Sequence, residues 1–328
     1  MSESPKVAVI TAAYNSERFI AATISSVLEQ SFSGFEYVIV DDNSTDGTRN
    51  IVLDYARSDS RLTLIRHATN QGPGPARNRG VRATTAPYIA FIDSDDCWEP
   101  DFLNLMLSEL LRQSANCVGV FCHSSIINTD GIPTGAKQDP AEGQYDFFKF
   151  FRHIFPPGNG SAFLLHRRYF SEADGFSDLR SMEDLDLYLR FLLPGYRHFS
   201  CVPRPLVRYR ASSVGLSSAR RYIEAAWSSK IEYYARRLPR HERQIVYYNF
   251  SRFYGPRPDM HTLGTSLMRR ALISTRSPQD LFAHFALMVP VAILGWRRYL
   301  ICRRALKKLL PFKMKLPPTQ RSGVNQRG

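Results

Sequence analysis

Short β-branched apolar runs that alternate with segments of helical apolar spacing predict an α/β fold, a Rossmann-like, mostly parallel sheet with helices on both faces. Two further features shape the expectation. Polar clusters recur just after the apolar runs, at the strand ends where open α/β sheets bind ligands. Near residues 215–220 the pattern changes to Tyr- and Arg-rich helical segments, which marks a C-terminal helical extension.

The elements follow in order. Val7 to Ile10 is a β-branched strand, and Ile20, Ile24, Val27 and Leu28 recur at helical spacing. Phe35 to Val40 returns to strand, Asp46 to Arg57 is a helix, and Leu62 to Ile65 a third strand. Pro75 to Thr84 is helical, with Pro near the first turn, and Tyr88 to Ile92 is a fourth strand. Leu103, Leu107, Leu110 and Leu111 form an apolar helix face, and Cys117 to Cys122 a fifth strand. The Asn128 to Gly131 turn and the aromatic stretch from Tyr145 to Phe155 leave simple alternation. Ser161 to Leu165 is a strand, Leu185 to Leu192 a helix entered through Glu183 and Asp184, and residues 199–210 are extended.

With 328 residues, 44% of them apolar, the chain can bury a full core. Its 43 basic and 30 acidic residues give a net charge of +13, and ten Lys or Arg with no acidic residue fall between Arg297 and Gly328. The charge therefore belongs to the tail, and no basic recognition helix or interleaved aromatic face points to nucleic acid. Leu281 to Trp296 is apolar but only 16 residues long, short of the ~20 a spanning helix needs. Together with the basic tail it matches a peripheral anchor on an anionic membrane surface, or else a helical pair packed on the body. Five irregularly spaced cysteines argue against a disulfide framework, and no signal-peptide core precedes the first strand. The expected location is cytoplasmic, peripheral on the cytoplasmic face of the inner membrane.

Asp93-x-Asp95 at a strand end offers two hard carboxylates, suited to Mg²⁺ or Mn²⁺ with phosphate and water completing the shell. Alone, the pattern is equally a turn or a helix cap. Its neighbours decide: VAVITAAYN from Val7 to Asn15, VDDNSTDGT from Val40 to Thr48, NQGPGPARN from Asn70 to Asn78 and FIDSDD from Phe91 to Asp96 occur in that order. Together they resemble the donor half of family 2 glycosyltransferases, inverting enzymes of the GT-A fold. The segments from Gly175 to Asp178 (GFSD) and Met182 to Arg190 (MEDLDLYLR) are similar to that family's acceptor-half ED motif.

The resemblance implies roles. Tyr14 would lie against the nucleotide base, Asp42 would accept from the uracil imide, and Arg77 would stand near nucleotide and diphosphate. Asp93 would sit by the ribose and cation, and Asp95 would be the direct cation ligand. Asp184 would take the acceptor hydroxyl's proton, with Glu183 sharing the acceptor site and Asp186 turned elsewhere. Ser212 stands where relatives carry a histidine that joins the cation.

The expected organisation is a GT-A domain at 1–215, with a nucleotide-sugar donor half at 1–115 and an acceptor half at 116–215, then a basic, membrane-associating extension at 216–328. The expected reaction moves a sugar from a nucleoside diphosphate sugar, UDP-linked, to a hydroxyl of a saccharide or lipid-linked saccharide. Two rivals remain. A sugar-phosphate nucleotidyltransferase requires a Gly-rich loop after the first strand, where this chain has TAAYN. A turnover-deficient nucleotide-sugar-binding or membrane scaffold is suggested by Ser212 in the histidine's place and by the basic tail, and the presence of both Asp95 and Asp184 speaks against it.

Overall fold

The structure is a computed structural model. It describes residues 4–152, 159–179, 183–193, 195–211 and 230–238, with single helical positions at 243, 246, 247, 266 and 270. The chain divides into two compact units, Met1–Asn249 and Phe250–Gly328, and every strand among the described residues lies in the first.

The first half of that unit alternates as expected: β1 (Val7–Ala13), α1 (Ile20–Leu28), β2 (Phe35–Asp41), α2 (Thr48–Ser58), β3 (Leu62–Arg66), α3 (Pro73–Arg82) and β4 (Tyr88–Phe91). A two-residue strand, β5 (Cys97–Trp98), precedes α4 (Phe102–Arg112). The second half holds β6 (Cys117–Ile127), β7 (Pro133–Gln138), β8 (Gly143–Tyr145), α5 (Phe147–Arg152), a 3-10 turn (Gly160–Ala162), β9 (Phe163–His166), α6 (Arg167–Glu172), α7 (Glu183–Leu192) and β10 (His198–Arg210).

One ten-stranded sheet runs through both halves in the order β3-β2-β1-β4-β9-β6-β10-β5, with β7 on β6 and β8 on β10. The first four strands are parallel, with Val7 opposite both Phe35 and Tyr88. Six of the seven β1 residues are buried, as a strand covered on both faces requires. Beyond β4 the sheet is mixed, because β9 runs antiparallel to β4 and β6 while β6 and β10 pair in parallel. The register slips between Val202 and Val207, where Pro203 and Pro205 lack ladder N–H groups.

Close packing of α3 on β1 depends on Gly80, where a Cβ would lie 2.5 Å from Ile10 Cγ2. Packing of the aromatic core in the second half joins Phe163, Tyr188, Phe199 and Phe150, with Tyr188 stacked on Phe163 at 4.1 Å. Cys97, Cys117, Cys122 and Cys201 are buried free thiols. Residues 230–237 form a helix that buries Ile231, Tyr234 and Ala235 at helical spacing. No helix among the described residues is long and apolar enough to cross a membrane. Leu281 to Trp296 and the basic tail lie outside the described residues.

Candidate functional site

The sequence clusters meet at the carboxyl ends of the first four strands. After β1 the backbone turns through Asn15, whose φ of +49° suits an Asn. Asn15 Oδ1 accepts from Thr45 N at 2.9 Å, and Glu17 Oε2 accepts from Gly47 N at 2.6 Å, so the loops after β1 and β2 are tied together. Tyr14 is left 49% exposed on this edge, an open aromatic face. Ser16 Oγ meets Ser94 Oγ at 2.7 Å, which joins the Tyr14 loop to the loop bearing Asp93 and Asp95.

Asp42 is buried, and its carboxylate accepts from Gln71 N at 2.9 Å and Gly72 N at 2.7 Å while Oδ1 lies 2.7 Å from His67 Nδ1. Gly72 leads into α3 with φ of +97°, a conformation only glycine adopts freely. Asp42 thus anchors the N-terminus of α3. Its expected contact with a base imide falls on a carboxylate that already has three partners.

From α3, Arg77 reaches a buried position between two carboxylates. Its guanidinium donates to Asp93 Oδ1 at 2.6 Å and to Glu183 Oε1, and packs 5.4 Å from the Phe176 ring. Burial works against its charge, yet Asp93, Glu183 and Asp184 together hold it firmly protonated. Arg77 Nε is buried with no partner among the described residues. Its fork closes on two protein carboxylates from distant parts of the chain, Asp93 after β4 and Glu183 at the start of α7.

Asp93 is partly exposed, with its side chain 34% accessible. Burial, then the charge of Asp93, pushes the Asp95 carboxyl up to about 6 despite Arg210. Asp96 is fully buried, with its carboxyl held well up by burial and by both neighbours. This crowding of like charge is what a divalent cation relieves, so Asp93 and Asp95 fit a hard cation bound through carboxylate, phosphate and water oxygens. No group of three His, Cys, Asp or Glu side chains among the described residues can hold a metal by itself, and Ser212 lies outside them.

At the start of α7, Glu183 is buried in its bridge with Arg77, whereas half-buried Asp184 has no ionic partner among the described residues. Burial, then Glu183, pushes the Asp184 carboxyl up to about 7, with Arg77 opposing. Such a group exchanges a proton near neutrality, as a general base must. One turn on, the buried Tyr188 hydroxyl has no partner among the described residues. Asp186 points elsewhere, as expected: it is fully buried and accepts from Ser177 Oγ at 2.7 Å, Arg190 Nε at 3.0 Å, Tyr234 Oη at 2.7 Å and Lys230 Nζ at 3.0 Å. Although burial raises its pKa, these donors lower it further than burial lifts it. Tyr234→Phe is accordingly expected to lower unfolding free energy by about 1.5–3 kcal/mol, the range for a hydrogen bond to a charged group. Urea unfolding at neutral pH checks this, and an unchanged midpoint would show that the 230–237 helix is not anchored through Asp186.

Arg77 thus unites Asp93 with the Glu183–Asp184 pair, Ser16 and Ser94 bring in the Tyr14 loop, and Asp42 joins through α3. Ser161, Asp96 and Arg210 also gather here. Asp96 and Arg210 stand in the FIDSDD and VRYR runs of the sequence, but no local pattern marks Ser161, which arrives from β9's approach.

Residues 8–172 match the model of the family described as Glycosyl transferase family 2. Among relatives, WfgD of Escherichia coli, a UDP-Glc:alpha-D-GlcNAc-diphosphoundecaprenol beta-1,3-glucosyltransferase, is 37% identical over 126 residues, which are 38% of this chain and 48% of that protein. The chain spans about half the length of the curated relatives it matches. Among solved structures, TarS of S. aureus in complex with UDP-GlcNAc superposes with a TM-score of 0.64 at 19% identity, over 92% of each chain. The mannosyltransferase PcManGT of Pyrobaculum calidifontis, in complex with GDP-Man and Mn²⁺, gives 0.59 at 19% identity over 94% of this chain and 88% of that one. Both are similar in fold.

Proposed function

The chain belongs to glycosyl transferase family 2, and on that premise we propose that it transfers a sugar from a nucleoside diphosphate sugar, UDP-linked, to an acceptor hydroxyl with inversion. The observation that carries the reading is the Arg77 bridge, which sets Asp93 on the donor side beside Asp184, a carboxyl poised near 7. In the proposed reaction Asp184 removes the acceptor hydroxyl's proton as that oxygen forms a bond to the anomeric carbon. The bond from that carbon to the diphosphate breaks on the opposite face, and the diphosphate leaves with the electron pair. Tyr14 offers its exposed ring to the base. Asp42 places α3, and α3 places Arg77.

Asp93 and Asp95 would hold the divalent cation, which when bound neutralises charge on the departing diphosphate. The UDP-GlcNAc and GDP-Man bound by the two neighbours support a nucleotide sugar, and the Mn²⁺ of one supports the cation. Cell-surface polysaccharide or glycolipid assembly, with a saccharide or lipid-linked acceptor, is the proposed setting. WfgD's name supports it, and attachment of the basic tail to the cytoplasmic face of a membrane completes the same reading.

The test is diphosphate release from a panel of sugar nucleotides with Mn²⁺ and a hydroxyl acceptor; no turnover with any donor would refute the reading. Asp95→Ala is expected to abolish the Mn²⁺-dependent gain in UDP affinity, at least about tenfold, while leaving metal-free affinity unchanged in calorimetry. Equal UDP affinity of the unaltered protein with and without Mn²⁺ would count against the cation assignment.

A further inference from the structure

We propose that Ser161, Asp96 and Arg210 are positioning residues for the loop that carries Asp93 and Asp95. Ser161 Oγ donates its single proton to Asp96 Oδ2 at 2.6 Å, so a lone pair is left to accept from Asp93 N at 3.0 Å. Asp96 Oδ1 accepts from Arg210 N at 2.8 Å, and Arg210 Nε donates to the Asp95 carbonyl at 2.8 Å. The loop is therefore held at its first N–H, at its third carbonyl and at its last carboxylate. On the loop these contacts use backbone and the Asp96 side chain, so none of them occupies the carboxylates of Asp93 and Asp95, of which Asp93 is shared with Arg77 through Oδ1.

Burial makes the network rigid. Ser161 and Asp96 are fully buried and Arg210 is 7% exposed, so a broken hydrogen bond finds no water to replace it. Both holding residues come from the acceptor half, 65 and 114 positions from Asp96 along the chain. Arg210 also donates from Nη1 to the carbonyls of Asn128 and Thr129 at 2.9 and 3.0 Å, with its face 4.6 Å from the Phe19 ring. One planar guanidinium thus ties the 128–131 turn to the loop of the two carboxylates. A lysine keeps the charge but cannot reproduce that fork.

The inference about loop geometry stands on these contacts, while its consequence for cation affinity rests on the proposed function. Two measurements on the full chain keep them apart. In metal-free protein, Arg210→Lys is expected to speed amide hydrogen exchange roughly tenfold in peptides covering both 93–96 and 128–131, with β1 to β3 unchanged. Ser161→Ala is expected to speed 93–96 alone. In UDP titrations the half-saturating Mn²⁺ concentration is expected to rise about tenfold or more in Arg210→Lys, as loss of an outer-shell partner does, with metal-free UDP affinity unchanged. Exchange at 93–96 equal to that of the unaltered protein in both variants overturns the proposal. If the unaltered protein shows no Mn²⁺ effect, the cation assignment fails, and exchange alone decides the positioning role.

Discussion

Asp184→Asn is expected to lower kcat by about 10³-fold while leaving nucleotide affinity intact, because it removes the carboxyl at the start of α7 that is poised near 7 and has no ionic partner among the described residues. Glu183 cannot substitute, since Arg77 holds it in a buried bridge. On the proposed function, the unaltered protein should gain transferase activity as pH rises through about 7, where burial and Glu183 have placed the Asp184 carboxyl. Stability should move the opposite way. A carboxyl whose folded pKa lies above its unfolded value of about 3.9 stabilises the fold below that value, and this contribution is lost as pH rises through about 7. The Asn variant should therefore unfold in urea no more easily than the parent at pH 8, although it is nearly inactive. A kcat within tenfold of the parent, with the same pH profile, would remove Asp184 from the reaction.

Arg77→Ala should produce the largest loss of stability, about 3–5 kcal/mol at neutral pH, the range for breaking a buried ion pair. It strips the partner from Glu183, whose side chain is 9% exposed, and from Asp93, which water screens more at 34%. Most of the loss therefore comes from Glu183. Arg77→Lys should retain the charge but reach only one of the two carboxylates, and fall between. Urea midpoints at pH 7.5 check this. A difference below about 1 kcal/mol would mean that the bridge does not hold the halves together.

How far sequence alone reaches varies with the kind of element. The strands and helices from Val7 to Phe91 were legible because each carries an unbroken apolar run or a clear helical period, and parallel strands covered on both faces leave that signature. Cys97–Trp98 was not legible, since a two-residue strand has no period and exists only through its pairing with Val207 and Arg208. The strand near Ser161 was expected, but its antiparallel insertion between β4 and β6 makes the second half mixed, and strand direction leaves no trace in local pattern.

Within the candidate site the same division holds. Residue chemistry determined which groups are expected to act: Tyr14 by its ring, Asp93 and Asp95 by their spacing at a strand end, and Glu183 and Asp184 by their place at a helix start. Only the tertiary structure decided which partners the buried charges take. Arg77 bridges Asp93 and Glu183, Asp42 anchors Gly72, and Asp186 is the socket for Tyr234 and Lys230. The physical reason is that a buried charge takes its partners and its pKa from groups that lie from 16 to 106 residues away along the chain. No local run of sequence records that distance.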